Sequence, residues 1–483
     1  VKTVDFNGQP FHFIGIGGIG MSALAYILAK RHLPVSGSDS RPSHITQRLE
    51  TAGARIFNRQ EAKNLESFRS HLSVLDMTTG AGKSYTPIPQ VICSTAINER
   101  NLEYRAAKDL GYPIFHRSDV LAALIDDYDS IAVAGTHGKT TTSSLLAYVL
   151  LQAGLDPTII IGGEVDAWEG NARLGEGRYL VAEADESDGS LTKHSPKIGA
   201  ITNIELDHPD HYQDLSEVID TFAIFAKQCE VLVACLDCDT IREHFRPTIS
   251  YSLDPLKGAD YTVRDITYER GVMKAEVLEK GQRLGVMEVK IPGQHNISNA
   301  LAVVAIGRYI GLDFETIADA IATFEGAKRR FEFKGEANGI TFIDDYAHHP
   351  SELRATLGAA KLKVQQKQYK RSIAIFQPHR YTRTATFLEE FGVAFGDADI
   401  VVLTDIYSAG EVNVQQVSGQ MVADEVSRHH ARVYYHPELS SLGQFLQDIL
   451  QPGDLALFLG AGNLNGIIPE MLSLYSLATS RIA

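Results

Sequence analysis

An apolar segment, Ser130-Ile131-Ala132-Val133, runs into Ala134-Gly135-Thr136-His137-Gly138-Lys139-Thr140-Thr141-Thr142, and apolar residues at helical spacing continue through Leu151. Buried strand, glycine-bearing turn, Lys-Thr and helix is the layout of a phosphate-binding loop. Glycines let backbone N–H groups turn toward phosphate oxygens, and the helix N-terminus adds partial positive charge. A lysine at this place reaches the outer phosphates, and the following threonine hydroxyl suits Mg²⁺. The general pattern has Gly where this chain has Val133, so the loop is a variant.

The remainder of the 483 residues bounds the classes open to the chain. That length predicts about three domains. With 44% apolar and 22% charged residues, there is ample material for cores. A formal charge of -15 argues against a nucleic-acid partner, which favours a basic stripe. No uninterrupted apolar run is long enough to span a bilayer. The first residues, Val1-Lys2-Thr3-Val4-Asp5-Phe6, lack the apolar core of a signal peptide. Cys93, Cys229, Cys235 and Cys238 suit a reducing cytoplasm. Cys235-x-x-Cys238 lacks a second pair and ends the strand-like run Val231 to Ala234, which favours packing over metal or redox chemistry.

Strand and helix patterns alternate along most of the chain. Pro10 to Ile14 leads into Gly15-Ile16-Gly17-Gly18-Ile19-Gly20, a helix from Met21 to Arg31, and a strand ending at Val35 to Asp39. Gln90 to Ser94 and Pro113 to Phe115 are further strand candidates, completing a doubly wound pattern. The domain should end near His116-Arg117, with Ser118 as N-cap of the next helix. After the phosphate loop come strands at Thr158 to Gly163, Tyr179 to Ala182 and Gly199 to Asn203. From Ala259 to Ile291 the pattern becomes β-rich, and Pro292 to Asn296 opens a helix. Beyond Lys328-Arg329-Arg330 the alternation resumes, with strands at Ile340 to Asp344, Ser372 to Phe376, Ile400 to Leu403 and Leu455 to Leu459.

Three further clusters carry candidate chemistry. Gly15-x-Gly17-x-x-Gly20 follows a strand and opens a helix, and Asp39 stands near the place where a dinucleotide fold reads the ribose. A nicotinamide or flavin domain therefore stays open at this point. Glu183-Ala184-Asp185-Glu186-Ser187-Asp188 follows a buried strand; Glu183 projects from its ligand-facing end and suits Mg²⁺, while Asp185, Glu186 and Asp188 are left without a role. Thr202 to His211 places His208 and His211 among carboxylates at another strand end.

The full motif set resembles the Mur ligase family, the ATP-dependent amide-forming enzymes of peptidoglycan synthesis. The residues that carry the likeness are Gly135 to Thr141, Glu183 to Asp188, Asn203 to His208, Gly293-x-His295-Asn296-x-x-Asn299-Ala300, Arg329-Arg330-Phe331 and Asp344-Asp345-Tyr346-Ala347-His348-His349-Pro350. They extend the likeness from about Phe11 to Ile467. Gly15 to Met21, Phe376 to Thr384 and Asp405 to Glu411 look most like the alanine-adding branch; a rival branch adds a murein tripeptide to the same UDP sugar.

The resemblance implies an α/β protein: a Rossmann-like UDP-sugar domain over 1–117, a central P-loop ATPase domain over 118–328, and a Rossmann-like domain over 329–483 that closes over ATP. It assigns the first glycine loop to the UDP diphosphate rather than to a dinucleotide. It implies UDP-N-acetylmuramate and L-alanine as substrates, ATP and Mg²⁺ as cofactors, a cytoplasmic location, and a monomer or homodimer. Gly135, Thr136, His137, Gly138, Lys139, Thr140 and Thr141 fall to the ATP phosphates, and Thr140, Glu183 and His208 to metal. Arg330 is implied to reach ATP, with Asp345 its ribose or orienting partner. His295, Asn296, Asn299 and Tyr346 are implied on the adenine side. Gly15, Gly17, Gly18, Gly20, Asp39, Ser94, His379, Arg380 and Arg383 are implied at the UDP sugar. Sister ligases use a carbamylated lysine; no lysine here takes that place, Lys193 being a poor fit, and the alanine-adding branch is not expected to need one.

Overall fold

The computed structural model describes residues 3–70 and 88–480. By its internal contacts the chain divides into two units: Val1–Ala134 with Leu146–Ala200 and Thr221–Leu232, and Gly135–Leu145 with Ile201–Asp220 and Val233–Ala483. Among the described residues no helix is long and apolar enough to cross a membrane.

In the first unit, β1 (Phe11–Ile14), β2 (Val35–Ser38), β3 (Arg55–Phe57), β4 (Gln90–Cys93) and β5 (Ile114–His116) form a parallel sheet in the order β3-β2-β1-β4-β5. β1 is buried throughout, as expected of a strand covered by helices on both faces. The order reverses between β1 and β4, and the glycine loop leaves β1 at that switch point. The helix Ile19–Lys30 buries Met21, Leu24, Ile27 and Leu28 in an apolar core of the unit. The same unit holds β6 (Asp129–Ala134), β7 (Thr158–Val165), β8 (Gly170–Arg173), β9 (Tyr179–Glu183) and β10 (Ile198–Ile201), side by side as β10-β6-β9-β7-β8. β8 folds back antiparallel on β7; the apolar pattern of Thr158 to Gly163 marked β7 but not this hairpin.

The second unit carries β11 (Val231–Cys235), β12 (Ile249–Ser252), β13 (Tyr261–Glu269), β14 (Val272–Glu279) and β15 (Gln282–Val289) as β15-β14-β13-β12-β11, the last three in chain order being antiparallel. Its other sheet takes β16 (Glu332–Ala337), β17 (Ile340–Asp345), β18 (Arg371–Phe376), β19 (Ile400–Leu403), β20 (Val433–Tyr435) and β21 (Asp454–Leu459) in the order β16-β17-β21-β18-β19-β20. It is parallel except for the edge strand β16. Separate apolar cores cover its two faces.

One expected boundary is corrected. The helix before β6 runs over Arg117–Asp126 and is capped by His116, not Ser118. The His116 ring accepts from the Ser118 N–H while the Asp119 carboxylate accepts from the His116 N–H, so the reciprocal cap lies two residues earlier. The four cysteines are free thiols, and burial pushes Cys93 and Cys235 up to about 11.

Candidate functional site

The phosphate loop is shaped by its neighbours in the second unit. Gly135 has φ 137°, and a Cβ there would stand 2.0 Å from the Thr202 hydroxyl. Gly138 has φ 80°, and its Cβ would stand 2.8 Å from the Asn299 Oδ1. Only glycine accepts both the conformation and the approach. Asn203 clamps the turn three ways: its carbonyl accepts from the Thr136 N–H (3.0 Å), its Oδ1 from the His137 N–H (2.8 Å), and its Nδ2 donates to the His137 carbonyl (3.0 Å). Lys139 opens the helix Lys139–Gln152, and its ammonium donates to the Gly135 (2.6 Å) and Thr136 (3.1 Å) carbonyls. Thr140 and Thr141 are buried in the first turn.

Around His137 the unit gathers groups from three distant segments. The imidazole lies between two carboxylates, Nε2 3.5 Å from Glu205 Oε2 and Nδ1 3.4 Å from Glu352 Oε1. Burial disfavours its charge, but the two carboxylates outweigh burial and raise its pKa to about 10. Glu205, against the burial that would raise it, is held down at about 2 by His137. His349 packs on His137 with ring centroids 4.7 Å apart and is kept neutral by burial, its pKa lowered to about 4. Arg330 completes the group, Nη1 3.9 Å from Glu352 Oε1.

A second polar group centres on Asp207. Its Oδ1 accepts from Arg383 Nε at 2.9 Å and from the His208 N–H at 2.7 Å. His208 holds the left-handed φ of 55°, uncommon for a residue other than glycine. Arg383 is 2% exposed and Asp207 5%, so this is a buried ion pair. Arg383, expected at the UDP sugar, pairs with Asp207 through Nε, and its Nη1 lies 3.3 Å from His379 Nδ1. Arg380, expected beside it, spans Asp210 (2.7 Å) and Glu411 (3.4 Å). The His379 ring stacks on Tyr407.

Other expected residues fall as follows. Asp345 is buried; it accepts from the Phe331 and Ala347 N–H groups and the Thr356 hydroxyl. Its carboxylate thereby holds the segment that carries Arg330. Tyr346 has the Arg329 and Arg330 guanidinium groups 4.8 and 5.3 Å from its ring. Asn296 is buried and donates to the Pro292 carbonyl, whereas His295 is exposed beside it.

The first unit holds the remaining candidates. The glycine loop has Gly15 at φ 79°, and the Gly17 N–H donates to Asp39 Oδ2 (2.9 Å). Asp39 therefore braces the loop. A Cβ at Gly20 would stand 2.9 Å from Arg117 Nη1, and Gly18 is the uncapped N-cap of the helix. Ser94 directly follows β4. Glu183 pairs in register with Val133, two residues before Gly135, and its Oε2 accepts from the Gly162 N–H at 2.8 Å. Asp185 and Asp188 answer Arg117 at 2.9 and 3.5 Å, which gives them a partner the sequence did not show.

Three family models match: the Mur ligase family catalytic domain over residues 10–129, the Mur ligase middle domain over 133–307, and the Mur ligase glutamate ligase domain over 329–462. The chain belongs to the Mur ligase family. A relative from Microcystis aeruginosa, named UDP-N-acetylmuramate--L-alanine ligase, is 80% identical over 98% of both chains. Among solved structures, the Thermotoga maritima UDP-N-acetylmuramate-alanine ligase MurC is 28% identical with TM-score 0.79, covering 97% of this chain and 100% of that one. A murein peptide ligase from Psychrobacter arcticus has TM-score 0.69 at 22% identity, with 97% and 99% coverage, and shares the fold.

In this Mur ligase, the sequence alone assigns no role to Asn203, Glu205, Asp207, His349 or Glu352. Asn203, Glu205, Asp207 and His349 lie inside the family motifs Asn203 to His208 and Asp344 to Pro350. Glu352 had a local signal, standing three residues after His349 at a Pro-led helix start, the spacing of a capping box.

Proposed function

We propose that the chain is an ATP-dependent ligase joining L-alanine to the lactyl carboxylate of UDP-N-acetylmuramate in the cytoplasm. The observation that carries this reading is the Microcystis relative of that name, 80% identical along nearly the whole of both chains. The murein peptide ligase shares the fold at 22% identity, which carries no argument for the tripeptide reaction. A dinucleotide oxidoreductase would leave the Lys139 loop without a task. The division 1–117, 118–328 and 329–483 is our reading of the three parts.

The chemistry proceeds in two steps. The lactyl carboxylate attacks the γ-phosphorus of ATP, releasing ADP and forming an acyl phosphate. The L-alanine amine then attacks the acyl carbon, and inorganic phosphate leaves as the amide forms. Both steps bring anions together, so fixed cations are the main requirement. Lys139 contacts the outer phosphates, supported by its place at the helix start beside two glycines of positive φ. Arg330 adds a planar donor fork. Thr140 and Glu183 carry hard oxygen donors of the kind Mg²⁺ takes, and the family pattern adds His208. Bound there, Mg²⁺ would neutralise charge on the phosphate oxygens. The first glycine loop, on an uncapped helix N-terminus with no acidic residue in its first turn, suits the UDP diphosphate.

The deciding experiment is phosphate release with UDP-N-acetylmuramate, ATP and Mg²⁺, adding each amino acid and the murein tripeptide in turn. Release with L-alanine is expected. Release with the tripeptide alone would assign the sister reaction, and no release with any of them would overturn the ligase reading.

A further inference from the structure

His137, Glu205 and His349 each offer one ligand atom, and the three atoms lie within 4.8 Å of one another. Among the described residues, His349 Nε2 is buried without a hydrogen-bond partner, and His137 Nε2 has no hydrogen bond, with Glu205 Oε2 standing 3.5 Å away. A buried imidazole nitrogen with no partner, beside a second imidazole and a carboxylate, is costly as it stands. The surroundings resemble the outer shell of a metal centre. Glu352 lies 3.4 Å from His137 Nδ1, where a carboxylate fixes the tautomer that leaves Nε2 to ligate. The Ser351 hydroxyl donates to Glu205 Oε2 at 2.6 Å and holds that carboxylate in place.

We propose that His137, Glu205 and His349 form a binding site for a divalent ion of the zinc class, separate from the Thr140, Glu183 and His208 set. Two imidazoles and one carboxylate is a donor set that Zn²⁺ and Co²⁺ accept and Mg²⁺ does not favour. Closing the three atoms to tetrahedral spacing needs side-chain shifts of about 1 Å. Binding replaces the proton on His137 Nε2. It also moves the His349 proton to Nδ1, giving up the 3.2 Å bond that Nδ1 accepts from the Ser351 N–H. His137 sits within the phosphate loop and His349 caps the helix Pro350–Gln365, so a bound ion ties the loop to that helix. An ion of this class is therefore a brake on any step that parts them. The proposal goes beyond the ligase reading and does not rest on it.

Co²⁺ titration of the ATP-free enzyme in excess Mg²⁺ tests it, because Mg²⁺ fills hard oxygen sites and low-coordinate Co²⁺ absorbs strongly in the visible. Glu205→Gln keeps an acceptor for Ser351, and His349→Asn keeps a helix cap; near-ultraviolet circular dichroism of the metal-free variants confirms their folds. One equivalent of intense band is expected for the wild type. Each ligand variant should weaken binding by at least about 100-fold and Glu352→Gln by about 10-fold, with His208→Ala unchanged. Absence of the band in the wild type would overturn the site. So would equal affinity in Glu205→Gln and His349→Asn, or loss of the band in His208→Ala.

Discussion

A methyl group on Gly135 would meet the Thr202 hydroxyl at 2.0 Å with the backbone at φ 137°. At Gly154, φ is 74° but a Cβ meets nothing within 4 Å. Gly154→Ala should therefore cost only backbone strain, about 1 kcal/mol. Gly135→Ala adds overpacking and should cost about 3 kcal/mol or more, with loss of ATP affinity. Chemical unfolding and ATP titration of the two variants check the contrast. His194 gives a pH-dependent case. It is 1% exposed, neither ring nitrogen has a hydrogen-bond partner among the described residues, and burial with Arg117 nearby lowers its pKa to about 4. Unfolded, the ring takes its proton near pH 6.5. Between those values the unfolded state binds more protons, so stability falls as pH drops. From pH 7 to pH 5 this ring should remove about 2 kcal/mol. His194→Asn should shrink that loss when unfolding midpoints are compared at the two pH values.

At the scale of elements, the segment leading into β16 and β17 separates its two arginines. Arg329, at φ 58°, donates from Nη2 to the Gly460 carbonyl at 2.6 Å, and its Nε lies 3.4 Å from Asp344. Arg330 approaches Glu352 at 3.9 Å and lies over the Tyr346 ring. Arg330→Lys should lower kcat by about 10²-fold or more while sparing UDP-sugar affinity, because an ammonium lacks the planar fork. Arg329→Lys should show its effect in the melting temperature. Unchanged kcat in Arg330→Lys would remove that residue from the mechanism.

The same scale explains what was legible. The loop Gly135 to Thr140 and the strands β1, β6, β17, β18 and β21 could be read because their signals are local: glycine spacing, apolar runs, a helix start. β16 was missed because it is an edge strand with an exposed, charged pattern, Glu332 to Ala337. The bracket of Glu205 and Glu352 around His137 joins segments that nothing in the spacing connects. Sequence shows the charge of Arg383 but not its burial against Asp207.

For the whole molecule, the ATP loop and the first glycine loop belong to different units. Lys139→Ala should therefore abolish turnover, by about 10²-fold or more in kcat, while UDP-N-acetylmuramate still binds. Calorimetry and steady-state kinetics check both halves; retention of more than about a tenth of kcat would count against the loop assignment. Titration with NAD and NADP should give no heat, and micromolar binding would overturn the UDP-sugar reading of the first loop.

The two cores flanking the second unit's parallel sheet divide its strands residue by residue. Ile373 and Ile375 belong to one core, Ala374 and Phe376 to the other; in β21, Leu455, Leu457 and Leu459 alternate with Ala456 and Phe458, and in β19, Val401 and Leu403 alternate with Ile400 and Val402. A frame of two is thus written into each strand, and adding one residue would exchange every later side chain between cores of different shape. Evolution can lengthen or shorten this part of the enzyme only in its connections. A scan of single-residue insertions across residues 371–459 should show tolerance between strands and loss of soluble protein within them.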